Sequence, residues 1–164
     1  MSNTQVSIGF DPGLERHTWC GVCPTGPYAT GKVAPVQPNL HALTWPDVVV
    51  IERPTAQGYE RVYARLLERY ELLLASVRCY WSGVPVYAIS SNELRYKVCG
   101  WVPRRDGHAD PAVRSFLIDK AGYGVYCQRG GILNSEDKRD AAVAALWGQA
   151  VLQGKIEQPE RWRV

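Results

Sequence analysis

No apolar run in the 164 residues approaches the roughly 20 that a membrane helix needs. The opening "MSNTQVSIGF" lacks the basic stretch and apolar core of a signal peptide. No segment is of low complexity and no period repeats, which sets aside solenoids and disordered chains. Charge of one sign is barely in excess. The 19 Lys and Arg against 16 Asp and Glu leave +3, compatible with an acidic partner such as nucleic acid but too mild to name one. Cysteines are few and odd in number, Cys20, Cys23, Cys79, Cys99 and Cys127, in a chain long enough to bury a core without covalent staples. Reduced thiols follow. The expectation is one domain spanning residues 1–164, with no membrane association and a cytoplasmic location.

What is present starts with a false lead. "HTWCGVCPTG" contains Trp-Cys-Gly-Val-Cys, the spacing of a redox-active dithiol. Such a dithiol needs its first Cys at a helix N-terminus, where the dipole lowers the thiol pKa. Here Cys23 runs into Pro-Thr-Gly-Pro, where no helix can start comfortably. A zinc site needs a second pair of ligands, but His17, His41 and His108 are scattered singly. Cys20 and Cys23 are therefore read as strand cysteines packed in or near a core.

The elements fall in a clear order. "QVSIGFD", "HTWCGVC" and "YATGKVA" read as three strands joined by turns, a meander. "PVQPNLHALTWP" offers a short turn of helix at most. The run Val48 to Ile51 suits a strand covered on both faces. From Tyr59 to Val77 the apolar residues recur at helical spacing with charges on the other face. "VPVYAIS" reads as a further strand, "NELRYKVCG" as a short helix ended by Gly100, and "DPAVRSFLIDKAG" as another helix with Pro111 in its first turn. The last helix begins beside Ser135, its cap, and continues through "EDKRDAAVAALWGQAVLQ" with acids at its positive end. The class is α/β, with a central mixed five-stranded sheet flanked by helices.

Four carboxylates stand out. Asp11 and Glu52 each close an apolar strand, and a carboxylate ending a run of Val and Ile must be ligated, paired or solvated. Arg53 points to the opposite face of the strand and is no partner for Glu52. Asp137 and Asp140 lie at i and i+3 on one face of the last helix, with Glu136 replacing Asp137 if that helix starts one residue earlier. If the first and fourth strands are neighbours, Asp11 and Glu52 sit side by side. Clustered carboxylates repel unless a cation lies between them. The hard divalent ion suited to carboxylates and substrate phosphate is Mg²⁺, with Mn²⁺ as a substitute. The implied chemistry is phosphodiester hydrolysis.

Four segments, "IGFDPGLERHTWCGV", "PDVVVIERP", "PVYAISSNELRYKVCG" and "EDKRDAAVAALWG", resemble in order and spacing the Holliday-junction resolvases of the RuvC type. That resemblance implies an RNase H-like fold, and catalytic, metal-binding acids at Asp11, Glu52, Asp137 and Asp140, two Mg²⁺ ions per site, a homodimer and branched DNA, a four-way junction, as substrate. It also implies basic residues near the centre, for which Arg95 or Lys97 is the best match in the segment before Gly100. Arg104 and Arg105 in the following loop are further DNA-binding candidates, since Asp110 falls where a second family lysine is expected. The family's aromatic wedge corresponds to Thr55, with Tyr59 the nearest substitute. Other nucleases of the same fold that debranch DNA or process RNA, and a non-catalytic nucleic-acid-binding module, remain alternative readings.

Overall fold

The computed structural model describes residues 4–56, 60–103 and 107–164. Five strands, β1 (Ser7–Asp11), β2 (His17–Cys23), β3 (Gly26–Val33), β4 (Val48–Arg53) and β5 (Val86–Ser90), form one sheet in the order β3-β2-β1-β4-β5. The β1–β2 and β2–β3 pairs are antiparallel, while β1–β4 and β4–β5 are parallel. The meander and the neighbouring first and fourth strands match the reading of the sequence. Segment 35–46 contributes a single turn, closed by the Leu43 N–H donating to the Leu40 carbonyl at 3.1 Å.

Helices cover both faces of this mixed α/β sheet. One face carries α1 (Glu60–Tyr80), whose Tyr70, Leu73, Leu74 and Val77 pack on Ile8, Phe10, Val49 and Ile51. Burial on α1 begins only at Tyr70, and Val62, nearer its start, is 47% exposed. The other face carries α5 (Glu136–Leu152), flanked by α2 (Ser91–Cys99) and α3 (Asp110–Asp119). Two short pieces escaped the sequence reading: α4 (Gly124–Cys127) and a 3₁₀ turn (Pro159–Trp162). The chain beyond that turn runs along β5, where the Val164 N–H donates to the Val86 carbonyl at 3.0 Å. Among the described residues no helix is long and apolar enough to cross a membrane.

The helix ends are as their capping residues dictate. Ser135 caps α5 by accepting from the Lys138 N–H, and Ser90 caps α2 by accepting from the Glu93 N–H. Gly100 ends α2 in the left-handed region at φ 69°, which glycine adopts without strain. At the sheet, α5 lies unusually close to β1. A Cβ at Gly9 would collide with the Ala141 carbonyl and the Ala145 amide, and one at Gly148 with the Ser7 hydroxyl. Glycine at those two points, with the Ala141 to Ala145 run between them, lets the helix descend onto the strand. That descent fixes what the first turns of α5 can reach.

Candidate metal centre

Strand periodicity decides which face the acids occupy. Ile8 and Phe10 on β1, and Val49 and Ile51 on β4, face α1. Residues 7, 9 and 11 and residues 48, 50 and 52 therefore face α5. Phe10 pairs with Ile51 in the parallel ladder, so Asp11 and Glu52 leave adjacent strand ends together. Asp140, on α5, comes down over them because the helix sits so close to Gly9.

The result is one group. Carboxylate oxygens of Asp11, Glu52 and Asp140 lie within 4.8 Å of one another. Glu52 and Asp140 are buried and Asp11 is half-buried. Asp137, a turn earlier on α5, is exposed and outside this group, as is Glu136. The charge of Asp137 still acts on Asp11 and Glu52.

Burial, then the neighbouring carboxylates, pushes Asp11 up to about 8 and Glu52 well above the carboxylate range. Asp140 is also raised by burial, against the opposing pull of Arg95. Three acids that cannot ionise together unaided, all offering hard oxygen ligands, suit a divalent cation such as Mg²⁺. A bound divalent cation supplies the positive charge that stabilises the ionised acids and polarises phosphate and water oxygens.

Two neighbours hold the carboxylates. The Arg95 guanidinium donates to Asp140 Oδ2 at 3.0 Å and stacks over Trp101 at 5.9 Å from the ring centre. Burial opposes the charge of Arg95, but Asp140 beside it, through its charge and this hydrogen bond, outweighs that and raises the Arg95 pKa further. The Ser91 hydroxyl donates to Glu52 Oε1. Sequence reasoning missed Ser91, although a serine directly after the strand paired with β4 was a visible signal: Arg53 pairs with Ser90. It missed His17 as well. The neutral Nδ1 of this buried residue accepts the Gly13 N–H at 3.3 Å, fastening the turn that follows Asp11, and burial lowers its pKa to about 4.

The remaining candidates diverge. Arg95 reaches the acids, whereas Lys97 on the same helix points elsewhere, its Nζ 4.7 Å from the centre of the Trp162 ring. Arg104, Arg105 and Tyr59 lie outside the described residues. Asp110 is held by a two-pronged pair with Arg139, at 2.9 and 2.8 Å, and takes no part in the cluster. The cysteine pair is strand-borne, as read: Cys20 is buried with its thiol pushed up to about 12 by desolvation, and both thiols are free.

A β3-β2-β1-β4-β5 sheet with carboxylates at the ends of β1 and β4, and at the start of the helix crossing them, defines an α/β protein of RNase H-like fold with an acidic cluster able to hold a metal. Among solved structures the chain is similar to Thermus thermophilus RuvC. It matches that protein in complex with a Holliday junction substrate at a TM-score of 0.62 and 18% identity, covering 92% of this chain and 97% of that one. A second structure of Thermus thermophilus RuvC matches at 0.57 and 17%, covering 98% and 100%. At such identity the likeness is one of fold. No protein-family model and no curated protein sequence matches the chain.

Proposed function

We propose that the chain is a divalent-metal-dependent endonuclease that cuts branched DNA, four-way junctions above all, by phosphodiester hydrolysis. The observation that carries this reading is the convergence of Asp11, Glu52 and Asp140 at the C-terminal ends of the central strands of a RuvC-like sheet. Structural metal sites also gather acids, but a deep, over-acidic cluster suits a site that must take charged phosphate oxygens alongside its cation. In this reading Asp11, Glu52 and Asp140 hold the metal, and Asp137 joins them or orients water from the rim. Two ions per site, the scheme in which one activates water and the other stabilises the leaving oxygen, is the fuller form of the proposal.

The chain's own groups divide the work. Ser91 fixes the orientation of Glu52 through its hydroxyl, and Arg95 balances Asp140 while presenting the rest of its planar donor set to a phosphate. Arg104 and Arg105 are proposed as phosphate contacts further out. A homodimer making two symmetric nicks is proposed from the bare start of α1, where Val62 is exposed and a second copy would cover the stripe.

The test is cleavage of a radiolabelled four-way junction. Paired nicks are expected with Mg²⁺ and none with EDTA. Cleavage unaffected by EDTA, or no cleavage of junctions, flaps or forks with any divalent cation, overturns the reading. Mixing wild-type chains with an excess of Asp11→Asn chains tests the dimer. Heterodimers nick a cruciform plasmid once and leave open circles, whereas independent monomers leave the linear yield proportional to the wild-type chains.

A further inference from the structure

The segment between α2 and α3 places one tryptophan a single side chain away from the acids. Trp101 is half-buried. Its indole carries the Arg95 guanidinium 5.9 Å from the ring centre, and that guanidinium donates to Asp140 at 3.0 Å. Two clefts meet here, and Trp101, Gly107 and His108 border both. The first, of about 360 Å³, is polar and is lined by Asn92, Arg95 and Glu136. The second, of about 460 Å³, is walled by Cys99, Val102, Pro111 and Ala112, and no Asp, Glu, Lys or Arg lines it. Arg95 lines only the first, so the part of the indole turned to the second is free of it.

The second cleft has no charge to offer a phosphate and has one flat aromatic wall, so its occupant is flat and uncharged. An apolar cleft alone selects no ligand. Its place one guanidinium from the acids favours a ring carried on a phosphate chain. A nucleobase is such a ring, and it stacks on an aromatic side chain whatever its sequence. In a duplex the bases are stacked on one another, but stacking is interrupted where strands exchange at a branch point, which lowers the cost of drawing one base out. The stack of Arg95 on the indole keeps the ring in position to receive it.

We propose that Trp101 is the stacking platform for one unstacked base of the DNA, on a nucleotide close to the phosphate that lies at the acids. The proposal rests on the reading of the chain as a nuclease of branched DNA and adds a positioning residue to it. A base on Trp101 and a phosphate on Arg95 fix the strand at two points, which sets where along it the cut falls.

The experiment is a binding titration of fluorescent four-way junctions, each with one abasic nucleotide, the abasic position being scanned through the crossover. Asp11→Asn is the parent chain, so that every junction stays whole. At one position and its symmetry mate, loss of the base should weaken binding about tenfold. Trp101→Ala should do the same on the intact junction, the size of one base–aromatic stack, and Trp101→Phe should recover most of the affinity. The two losses should not multiply: on that abasic junction, Trp101→Ala binds as tightly as the parent does. Trp101→Leu, which keeps bulk without a ring, carries the test if Trp101→Ala loses its circular dichroism. Equal affinity of parent and ring-less variant for the intact junction overturns the proposal. So do losses that multiply at every position, the result that a merely structural role or a displaced Arg95 gives. Coupling between Trp101 and one base in a chain whose wild type cuts nothing with any divalent cation upholds the platform and sinks the nuclease reading. Metal-dependent cutting without that coupling does the reverse, and failure to bind any junction overturns both.

Discussion

α5 lies along β1, its first turns towards the strand's end at Asp11 and its C-terminal half over the strand's start at Ser7, and two sequence motifs that suggest chemistry lie close to it. At the N-terminal end, Asp-Pro-Gly closes β1 and three carboxylates meet within 4.8 Å. On the neighbouring strand, Trp-Cys-Gly-Val-Cys runs along β2 from beside Phe10, with the Cys20 thiol, opposite Gly9, raised to about 12 by burial and no disulfide. The same physical term, desolvation, acts on both. At the acids it acts on groups that also repel one another, which calls for a cation. At Cys20 it acts on an isolated thiol, which it renders inert. The motif's spelling therefore decides less than whether the fold brings like charges together.

The comparison breaks most sharply at Asp11. Asp11→Asn keeps the shape and removes one charged ligand, and is expected to lower junction cleavage by about 10²–10³-fold or more while leaving junction binding intact. Cleavage at the wild-type rate with Mg²⁺ would remove the acid cluster from the reaction. Next is Arg95. Arg95→Gln frees Asp140 from its 3.0 Å partner and should reduce cleavage by about 10–100-fold, the size of effect expected when a group orienting a metal ligand is lost. Arg95→Lys should recover part of that loss, and an equal loss in both variants would point to the guanidinium's planar contacts.

How close α5 sits to β1 is a separate lever on the same end. Gly9→Ala drives a methyl into the Ala141 carbonyl, backbone that cannot move aside as a side chain can. A loss of about 3 kcal/mol is expected, seen as a lower urea midpoint. Unchanged stability would mean that α5 does not lie on β1 as described.

A smaller effect tests the charge balance directly. In an unfolded chain Asp11 ionises near its ordinary 3.8, whereas in the folded protein it stays protonated to about 8. Between those values the unfolded state binds fewer protons, so stability falls as pH rises from about 4 to about 8 and levels off above. Thermal melts of metal-free protein should show that decline, and Mg²⁺ should raise Tm more at pH 8 than at pH 6. A 2 kcal/mol difference corresponds to about 4–8 °C in a chain of this size. A Tm that is flat over this range in EDTA would show that the acids are already compensated.

Much of this was legible in the sequence for reasons of period and punctuation. The alternation in "QVSIGFD" and the run before Glu52 placed two acids at strand ends, and Ser135 and Gly100 marked helix termini that the structure keeps. The division of labour on the last helix was not legible. The i, i+3 spacing puts Asp137 and Asp140 on one face, but only the descent of α5 onto Gly9 decides that Asp140 reaches Asp11 and Glu52 while Asp137 stays at the rim. Arg95 and Lys97 looked equivalent for the same reason. On a helix, two positions apart means nearly opposite sides, and only the packing of α2 reveals that one meets the acids and the other Trp162.

The smallest expected effect is at the cysteines, and it is the one that would restore the rival reading. Cys20 packs with Val22, Val48 and Val50 under α5, so Cys20→Ala removes one buried heavy atom and should cost about 1 kcal/mol. Cys23, half-buried at the strand end, sits 3.1 Å from the Thr25 hydroxyl and 3.4 Å from the Gly26 carbonyl. Desolvation raises its thiol, but hydrogen bonds with the Thr25 side chain and with the backbone at Thr25, Gly26 and Cys23 itself outweigh it and bring the thiol below the ordinary value. A lowered thiol pKa beside a second cysteine is the one feature here that a dithiol enzyme would share. Its partner defeats it, because consecutive strand residues point to opposite faces and Cys20 and Cys23, three apart, therefore project from opposite sides of β2. The double variant should cleave junctions at the wild-type rate and be insensitive to reductant and oxidant, as the wild type should be. Cleavage that tracks thiol redox state, or is lost from a double variant that still melts cooperatively, would move the chemistry from the acids to the thiols of β2.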